Sequence, residues 1–555
     1  MVKMKSLVAI LLIPAAMLCV PNLVKAQAAV ALAGRVSSQE EGAMEGVLVS
    51  AKRDGSTVTL TVVSDAQGRY TFPRTKSAPG RYSLRIRAAG YELNAPSSVE
   101  VTAQTTAQLD LRLSKTQNLA SHLTNAEWLW SAPGKEEHKK ALLNCLHCHT
   151  LERIFRSRYN ATDMMNVVRR MGRYYEGTTA ERPQLLKPMP AVPRERISAA
   201  DAAWVSTVNL SSVSQWEYPL KTFPRPKGSA TRVILTEYDL PRPHAMPHDA
   251  VVDSEGMVWY SDHAQQYLGR LDPNTATVVE YPVPVTKPGF PTGIHFLKLD
   301  QAGNPWLSMG AQGAVVTFDR KTEKFQSWNM PQDTDLQAFG MLLGFLNIDG
   351  KVWIVEPATR KIEKLNVRTG EWDRDAISLF QDIPKDSPAA TLPHFAYDIY
   401  SDTQNNVYLT DFYGEYIGKI DAGTGKTALH QTPTSYSAPR RGHMDNQDRL
   451  WFGEYQGNRI GMFDARTKKF QEWELPTPFS GPYDAVLDKN GHAWTGGMTA
   501  DRVTRLNTKT GEIVEYLLPR STNIRMVDVD NSTNPVSLWI GNNHGAALIK
   551  IEALD

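Results

Sequence analysis

The stretch PHDAVVDSEGMVWYSDHAQQYLGRLDPNTATVVEYPVP, residues 247–284, contains four short runs rich in apolar and β-branched residues. Turns rich in Gly, Asp, Asn and Pro separate these runs, and the second run carries an aromatic residue, Trp259. Short runs of this kind, bounded by turn residues, are typical of antiparallel β-strands joined by hairpins. The stretch therefore predicts one small four-stranded sheet.

The same pattern recurs along the C-terminal part of the chain, with one aromatic anchor in each copy. The anchors are 43 to 55 residues apart, at Trp259, Trp306, Trp353, Tyr408, Trp451, Trp494 and Trp539. Seven repeats of four strands predict a seven-bladed β-propeller over 233–555, since a closed ring covers both faces of every sheet. The run ILTEYDLP, 234–241, is predicted to complete the last blade and close the ring, and the anchors are predicted to be packing residues.

The repeats, about 320 residues in all, resemble the streptogramin B (virginiamycin B) lyase propellers. In that family the working histidines lie in Pro-His motifs at the starts of the last two blades, with a glutamate just before one of them. Here those blades start with GPYDAV and NIRMVD, and Pro-His occurs instead at His248 and His394. The resemblance thus implies the propeller fold, whereas the histidine pattern of the lyase is not reproduced.

The segment CLHCH, Cys145–His149, has the C-x-x-C-H spacing of covalent haem c attachment. Two cysteines three apart share one face of a helical turn, so both can reach one edge of a porphyrin, and His149 follows as the proximal iron ligand. Structural zinc would require a second pair of ligands, and a thioredoxin-type pair would require a βαβ context. We therefore predict haem c on Cys145 and Cys148.

The distal iron ligand has two candidates. Met171 ends the predicted helix TDMMNVVRRM, and Met189 lies in the Pro-rich loop KPMPAVP. The first arrangement resembles compact mono-haem cytochrome c domains fused to dehydrogenases, and the second resembles ordinary class I cytochromes c. Either methionine gives His/Met ligation, which favours electron transfer over oxygen binding. A small all-α cytochrome c domain is predicted over 116–212, followed by a linker over 213–232.

Residues 30–115 form a separate module of short alternating runs, such as RYSLRIRA, separated by Gly and Pro turns. About seven strands in this length predict an Ig-like β-sandwich. The succession GRV, GVLVSAKR, SDAQGRYTF and PGRYSLRIRAAGYE resembles the carboxypeptidase regulatory-like domain, which implies a carbohydrate-binding-like fold. No cluster of exposed aromatic residues accompanies it, so we predict a spacer or adhesion role.

The first 26 residues have a basic start, an apolar run and a small residue, Ala26, at the predicted cleavage position. This is the pattern of a secretory signal peptide, which predicts a periplasmic or secreted protein with no integral membrane segment after cleavage. Lys and Arg total 61 and Asp and Glu total 59. This balance argues against nucleic acid or an anionic membrane as the main partner. The predicted haem implies a redox partner protein or a small-molecule electron donor.

Four histidines lie near the predicted starts of innermost strands, where propeller sites gather. They are His248, His295, His394 and His443, and we take His248, His394 and His443 as candidate catalytic residues. Acids follow at the predicted ends of the next strands, at Asp262, Glu356, Asp411 and Glu454. Converging imidazoles and carboxylates would suit a divalent metal or acid–base chemistry at the channel. Arg440, Arg441 and Arg525 lie nearby and would attract an anion.

Three functions follow from this fold class, which is multidomain and mainly β. The first is electron transfer by an exported c-type haem protein, coupled to oxidation or binding of a substrate at the propeller channel. The second is a metal-assisted lyase or hydrolase of a cyclic ester, as the lyase resemblance implies. The third is a non-catalytic assembly that binds ligands and relays electrons.

Overall fold

The structure of this chain is a computed structural model. It describes residues 30–95, 97–174, 197–331, 338–343, 349–357, 359–386, 388–421 and 423–554. The predicted signal peptide and Met189 lie outside the described residues.

The N-terminal module is a β-sandwich of two sheets, as predicted. One sheet contains β3, β4, β6 and β8, and the other is built around β1. Alternate residues of both sheets point into one apolar core, which includes Val36, Tyr70 and Leu84. The strands are β1 (Val30–Ser38), β2 (Gly42–Ala43), β3 (Leu48–Arg53), β4 (Val58–Val63), β5 (Arg69–Pro73), β6 (Gly80–Arg87), β7 (Tyr91–Leu93), β8 (Ser97–Val101), β9 (Ala107–Gln108) and β10 (Leu111–Lys115).

Short helices occupy the segment between the sandwich and the propeller. They are α1 (Asn125–Ser131), α2 (Glu136–Ala141), α3 (Glu152–Phe155), α4 (Ala161–Met171) and α5 (Ala199–Val208), with 3₁₀ turns at Leu119–His122, Leu142–Cys145 and Gly228–Thr231. Two further 3₁₀ turns lie in the sandwich, at Arg74–Lys76, and in the propeller, at Pro388–Thr391. Helix α4 begins after Asn160, whose side chain accepts from the Asp163 N–H, so it starts one residue before the predicted helix TDMMNVVRRM. Within the described residues, no helix is long and apolar enough to cross a bilayer.

The propeller contains seven sheets among the described residues, one for each predicted repeat. Its strands are β11 (Val233–Asp239), β12 (Pro247–Val252), β13 (Val258–Asp262), β14 (Tyr267–Asp272), β15 (Thr277–Pro282), β16 (Phe296–Leu299), β17 (Pro305–Met309), β18 (Ala314–Asp319), β19 (Lys324–Asn329), β20 (Met341–Leu342), β21 (Val352–Glu356), β22 (Lys361–Asn366), β23 (Glu371–Trp372), β24 (Ile377–Ser378), β25 (Ala396–Ser401), β26 (Val407–Asp411), β27 (Tyr416–Ile420), β28 (Thr427–Gln431), β29 (Pro439–Met444), β30 (Arg449–Glu454), β31 (Arg459–Asp464), β32 (Lys469–Glu474), β33 (Val486–Leu487), β34 (His492–Gly497), β35 (Arg502–Asn507), β36 (Ile513–Leu517), β37 (Val527–Asp530), β38 (Ser537–Asn542) and β39 (Ala547–Ala553). Blades 1 to 6 start at β12, β16, β20, β25, β29 and β33, and blade 7 starts at β37.

The aromatic anchors are buried packing residues, as predicted. In blade 1, the indole N–H of Trp259 donates to Asp253, and the other oxygen of Asp253 accepts two N–H groups of the turn that precedes the strand. One carboxylate therefore fixes both the turn and the anchor. Blades 2 to 6 repeat this bond, at 2.8–3.2 Å, in the pairs Trp306–Asp300, Trp353–Asp349, Tyr408–Asp402, Trp451–Asp445 and Trp494–Asp488.

Strand β11 closes the ring, which confirms the prediction for the run at 234–241. It pairs antiparallel with β39, the last strand of the chain, and supplies the outer strand of blade 7. Its other edge pairs with β4 of the sandwich, so that blade 7 and one sandwich sheet form a continuous eight-stranded sheet. This shared sheet leaves neither β4 nor β11 with an exposed edge, and it joins the first module directly to the propeller.

Replacing Leu235 with alanine is expected to lower the free energy of unfolding by about 2–5 kcal/mol. Leu235 lies in the middle of β11 with no exposed surface, and the truncation leaves a cavity where the ring closes. Denaturant unfolding of the full chain measures the change. Leu554→Ala is the control, because the Leu554 side chain is 38% exposed and should change the free energy little. Equal effects of the two substitutions would contradict the role of β11 as the closing strand.

Candidate functional site

The first residues of the innermost strands form a ring at one end of the central channel. Strand pairing fixes the equivalence, because Pro247, Ala396 and Pro439 lie opposite Asp262, Asp411 and Glu454 in their own blades. The residue that follows each of these is a ring member. In blades 1, 2, 4, 5, 6 and 7 the ring members are His248, His295, Tyr397, Arg440, Tyr483 and Arg525, all at most 5% exposed.

Two of the predicted catalytic histidines lie outside this ring. His394 precedes its ring position by three residues, and His443 follows its ring position by three residues. The three candidates therefore hold different positions along the innermost strands of their blades. The His443 side chain is open to solvent, yet the surrounding protein lowers its pKa through desolvation.

His248 instead belongs to a group of three imidazoles between blades 1 and 2. Its ring centroid lies 4.9 Å from that of His263 and 6.4 Å from that of His295, and the His263 and His295 centroids are 4.8 Å apart. His263 was not among the histidines predicted from the sequence, although it directly follows the predicted strand end at Asp262. Among the described residues, no set of three His, Cys, Asp or Glu side chains is arranged to hold a metal ion. A divalent metal at the channel stays a prediction.

His394 forms a buried pair with Asp411. Its Nδ1 lies 2.6 Å from Asp411 Oδ2, and its ring stacks on Phe380 with the centroids 5.2 Å apart. Asp411 Oδ1 also accepts the Phe395 N–H, so the carboxylate is held from two sides. A carboxylate that orients an imidazole in this way prepares it to accept or donate a proton at Nε2.

The other predicted acids serve the fold. Asp262 accepts the N–H groups of Met246 and Ala264 and pairs with Arg242 at 2.7 Å, which fixes the loop after β13. Glu356 accepts the Thr359 hydroxyl at 2.7 Å. Both are fully buried and bound to nearby groups, so neither points a carboxylate at the three histidines.

The C-x-x-C-H turn covers the ring. Donors from blades 5 and 7 bind three backbone carbonyls, two in this turn and one two residues before it. The Tyr455 hydroxyl donates to Leu143 at 3.1 Å, the Asn523 amide to Leu146 at 3.1 Å, and the Arg525 guanidinium to His147 at 3.1 Å. The side chains of Leu143 and Leu146 are buried in a core that also contains propeller residues. The propeller mouth therefore holds the backbone of the predicted haem-binding turn directly.

The residues of this turn fit covalent haem. Cys145 ends a 3₁₀ turn, Leu146 continues in right-handed helical conformation, and both cysteines are half-buried. His149 Nδ1 lies 2.9 Å from the Thr150 carbonyl oxygen. A carbonyl can only accept, so Nδ1 carries the proton, and the lone pair on Nε2 would be available to ligate a haem iron. Burial, and then the positive charge of Arg525, lowers the pKa of the nearby His544 imidazole to about 3.

Beneath the turn, two buried arginines have different surroundings. The Arg440 guanidinium lies 3.4 Å from the centroid of Tyr455 and 3.9 Å from that of Phe412, and its Nε and Nη1 have no hydrogen-bond partner among the described residues. Arg441 crosses the channel and pairs with Asp249 of blade 1 at 2.7 Å. Arg440 and Arg525 thus place positive charge at the mouth, whereas the charge of Arg441 is balanced.

Met171, the described candidate for the distal ligand, ends α4 with its side chain half-buried. Met164, Met165 and Val168 of the same helix are buried in the core that α4 shares with the haem-binding turn. The packing face of α4 is therefore set by these three residues, and Met171 lies at the edge of that face.

Two parts of the chain match known families. Residues 31–114 match the model of the carboxypeptidase regulatory-like domain, and residues 386–554 match that of the virginiamycin B lyase family. Each match covers less than half of the chain. A comparison with curated proteins found no match.

Solved lyase structures are similar to the propeller. A streptogramin B lyase structure shares 22% identity, covers 59% of this chain and 99% of its own, and has a TM-score of 0.50. Virginiamycin B lyase from Staphylococcus aureus shares 20% identity over 58% of this chain and 99% of its own, with a TM-score of 0.49. The likeness to the streptogramin B lyase confirms the predicted propeller fold; reaction and ligand do not follow from it.

Proposed function

We propose that this chain is a c-type haem protein that transfers electrons outside the cytoplasm. In this proposal residues 116–212 form the cytochrome c domain, Cys145 and Cys148 bind the haem, and His149 ligates its iron opposite Met171 or Met189. Haem c supplies reversible one-electron transfer when bound. The propeller holds this domain in place. It also binds the redox partner protein or small molecule that exchanges electrons with the haem.

The observation that carries this proposal is the attachment of the C-x-x-C-H turn to the propeller mouth. Three donors bind the backbone carbonyls of Leu143, Leu146 and His147, so they hold the turn and the residues just before it without using the side chains that haem attachment requires. The His149 imidazole is fixed in the tautomer that ligates a metal. A turn held only for packing would need neither the cysteine spacing nor this tautomer.

Optical spectra of the exported full-length protein, oxidised and reduced, test the proposal. Production should take place in a bacterium that attaches haem c in its periplasm. We expect a spectrum of low-spin haem that changes on reduction, and a colourless protein would contradict the proposal. Substrate oxidation at the propeller is tested with the His248→Ala/His394→Ala variant, which should slow haem reduction by candidate donors. Unchanged rates with every donor would rule out that part of the proposal.

Arg525→Met is expected to lower the midpoint potential of the haem. Arg525 is 2% exposed and donates to the His147 carbonyl, and a buried positive charge at that place favours the reduced, less positive form of iron. Redox titration followed by absorbance measures the shift. Arg466→Met is the control, since the Arg466 side chain is 62% exposed and pairs with Asp448. An equal potential in wild type and Arg525→Met would contradict this role.

A lyase or hydrolase acting on a cyclic ester is the second candidate, favoured by the buried His394–Asp411 pair and by the family match over 386–554. Here His394 would act as the general acid or base. Incubation of the chain with a streptogramin B antibiotic tests this, with the ring-opened product followed by mass spectrometry. Ring opening that disappears in His394→Ala would establish the lyase function, and no product with the wild type would exclude it for this substrate.

A further inference from the structure

An open groove runs along the boundary between the helical segment and the propeller. It consists of two adjoining cavities of about 520 and 380 Å³, which share Trp130, Glu136 and Phe479. The larger cavity continues along the segment that precedes the propeller, at Tyr218 and Lys221. The smaller one continues along blade 5. The groove lies outside the channel and its histidines.

Aromatic rings form much of the wall of this groove. The Trp130 side chain, in the last turn of α1, is 44% exposed. Phe479, in the loop from blade 5 to blade 6, has a left-handed backbone with φ of 55°, which is unusual for a bulky residue, and its carbonyl accepts the Thr499 hydroxyl. The Tyr218 hydroxyl donates to the Val208 carbonyl at 2.7 Å, which fixes its ring. An exposed indole beside fixed rings offers a surface for a flat apolar ligand.

The charged residues that line the groove leave an excess of positive charge. Four of the six form two ion pairs with each other at 2.9 Å, Glu136–Lys140 and Arg459–Glu474. The other two are Lys139, whose ammonium lies 5.8 Å from the Phe479 ring centroid, and Lys221, whose ammonium lies 5.6 Å from that of Trp130.

These two ammonium groups repel each other. Burial, and then the charge of Lys221, lowers the pKa of Lys139, and the opposite effect of the Glu136 carboxylate is smaller. Glu136 also has its own ion pair with Lys140, so it does not cancel both free charges of the larger cavity. An anionic group bound between Lys139 and Lys221 would relieve the repulsion.

The smaller cavity reaches the haem-binding turn. Leu143 lines it and lies two residues before Cys145 in the same 3₁₀ turn. Tyr455 lines it as well, and its hydroxyl donates to the Leu143 carbonyl. A ligand that fills the groove therefore comes within one turn of the chain from the predicted haem attachment.

We propose that this groove binds a planar aromatic acid, with Lys139 and Lys221 on its acidic group and Trp130 and Phe479 on its rings. The ammonium groups supply charge-assisted hydrogen bonds, and the rings supply stacking. Resting on the proposed function, the ligand class is an acidic hydroquinone that donates electrons to the haem. Two chains each take up one electron, two protons pass to water, and the ligand leaves as the quinone.

Calorimetric titration of the full-length protein with anthraquinone-2-sulfonate tests the binding. The matched probes are neutral 2-(hydroxymethyl)anthraquinone, which lacks the charge, and pentane-1-sulfonate, which lacks the rings. We expect saturable binding that is tightest for anthraquinone-2-sulfonate and that weakens as salt is added.

The double variant Lys139→Gln/Lys221→Gln should bind anthraquinone-2-sulfonate about fivefold or more weakly, and Trp130→Ala about threefold or more weakly. Reduction of the haem by the hydroquinone form of this probe should slow in the same variants. Lys135→Gln is the control, because Lys135 is exposed at the start of α2 and does not line the groove.

Absence of saturable binding to the wild type, or equal binding of the three probes, would overturn the proposal. Both results need no variant, so they hold even if a variant fails to fold. Haem that dithionite reduces but the hydroquinone does not would overturn the donor role and leave the proposed haem function intact. A colourless protein that binds the probe would contradict the proposed haem function, whereas the aromatic-acid site would stand.

Discussion

His149→Gln is expected to abolish the low-spin haem spectrum of the purified protein, whereas His147→Gln is expected to leave it intact. The two imidazoles are two residues apart on the same turn but have different surroundings. His149 Nδ1 is bound by the Thr150 carbonyl, which leaves the Nε2 lone pair for iron. His147 is 6% exposed beneath the turn, and its own carbonyl is held by Arg525.

The comparison uses absorbance spectra of both variants together with their intact masses. Mass shows whether haem is still attached through Cys145 and Cys148, so that loss of the iron ligand can be distinguished from loss of the whole group. A low-spin spectrum that survives in His149→Gln, or that is lost only in His147→Gln, would contradict the assignment of the proximal ligand.

We expect Glu454→Gln to remove a large part of the fall in the free energy of unfolding that the wild type shows as the pH rises. Burial, and then the negative charge of Glu472, raises the pKa of Glu454 to about 9. An unfolded glutamate titrates near pH 4.3. Between these values the folded chain keeps the proton and the unfolded chain has lost it, so the free energy of unfolding falls as the pH rises. The slope approaches about 1.4 kcal/mol per pH unit for one such group.

Urea unfolding between pH 6 and 9 measures this slope in the wild type and in Glu454→Gln. Glutamine keeps the size of the side chain but cannot titrate, so the variant should show a flatter dependence and greater stability at pH 9. Glu474→Gln is the control, because the Glu474 side chain is 68% exposed on β32, the outer strand of the same blade. Parallel pH curves for wild type and Glu454→Gln would show that Glu454 titrates normally.

Much of the propeller could be predicted from the sequence because its anchors are large and regularly spaced. One buried aromatic residue marks the second strand of each blade, and the turn before it has a recognisable composition. The closing strand β11 could be found for the same reason, since the last repeat lacked its outer strand. The pairing of β11 with β4 could not be predicted from the sequence, because a sandwich strand and a blade strand have the same alternating pattern.

The positions of the candidate site residues were less predictable. Irregular pairing interrupts the innermost strands between Pro247 and Ala250, and at the equivalent places in blades 4 and 5. A bulge of this kind changes which residue points to the channel without leaving a composition signal. His394 and His443 were therefore grouped with His248, although Tyr397 and Arg440 hold the equivalent ring positions.

The contact of the C-x-x-C-H turn with the propeller mouth was also not predicted from the sequence. Tyr455, Asn523 and Arg525 bind backbone carbonyls, and any residue type supplies a carbonyl, so the partner segment has no sequence signature. The C-x-x-C-H turn itself was recognisable from the spacing of two cysteines and a histidine. Its position against the propeller was not predictable.

Mass spectrometry of a proteolytic peptide that contains Cys145–His149, from protein exported with its signal segment, tests the central claim most directly. The account predicts a peptide whose mass exceeds that of its amino acids by one haem, held through both thiols and resistant to extraction with acidified solvent. A peptide with the mass of the amino acids alone, from protein made where c-type haem attachment operates, would contradict it.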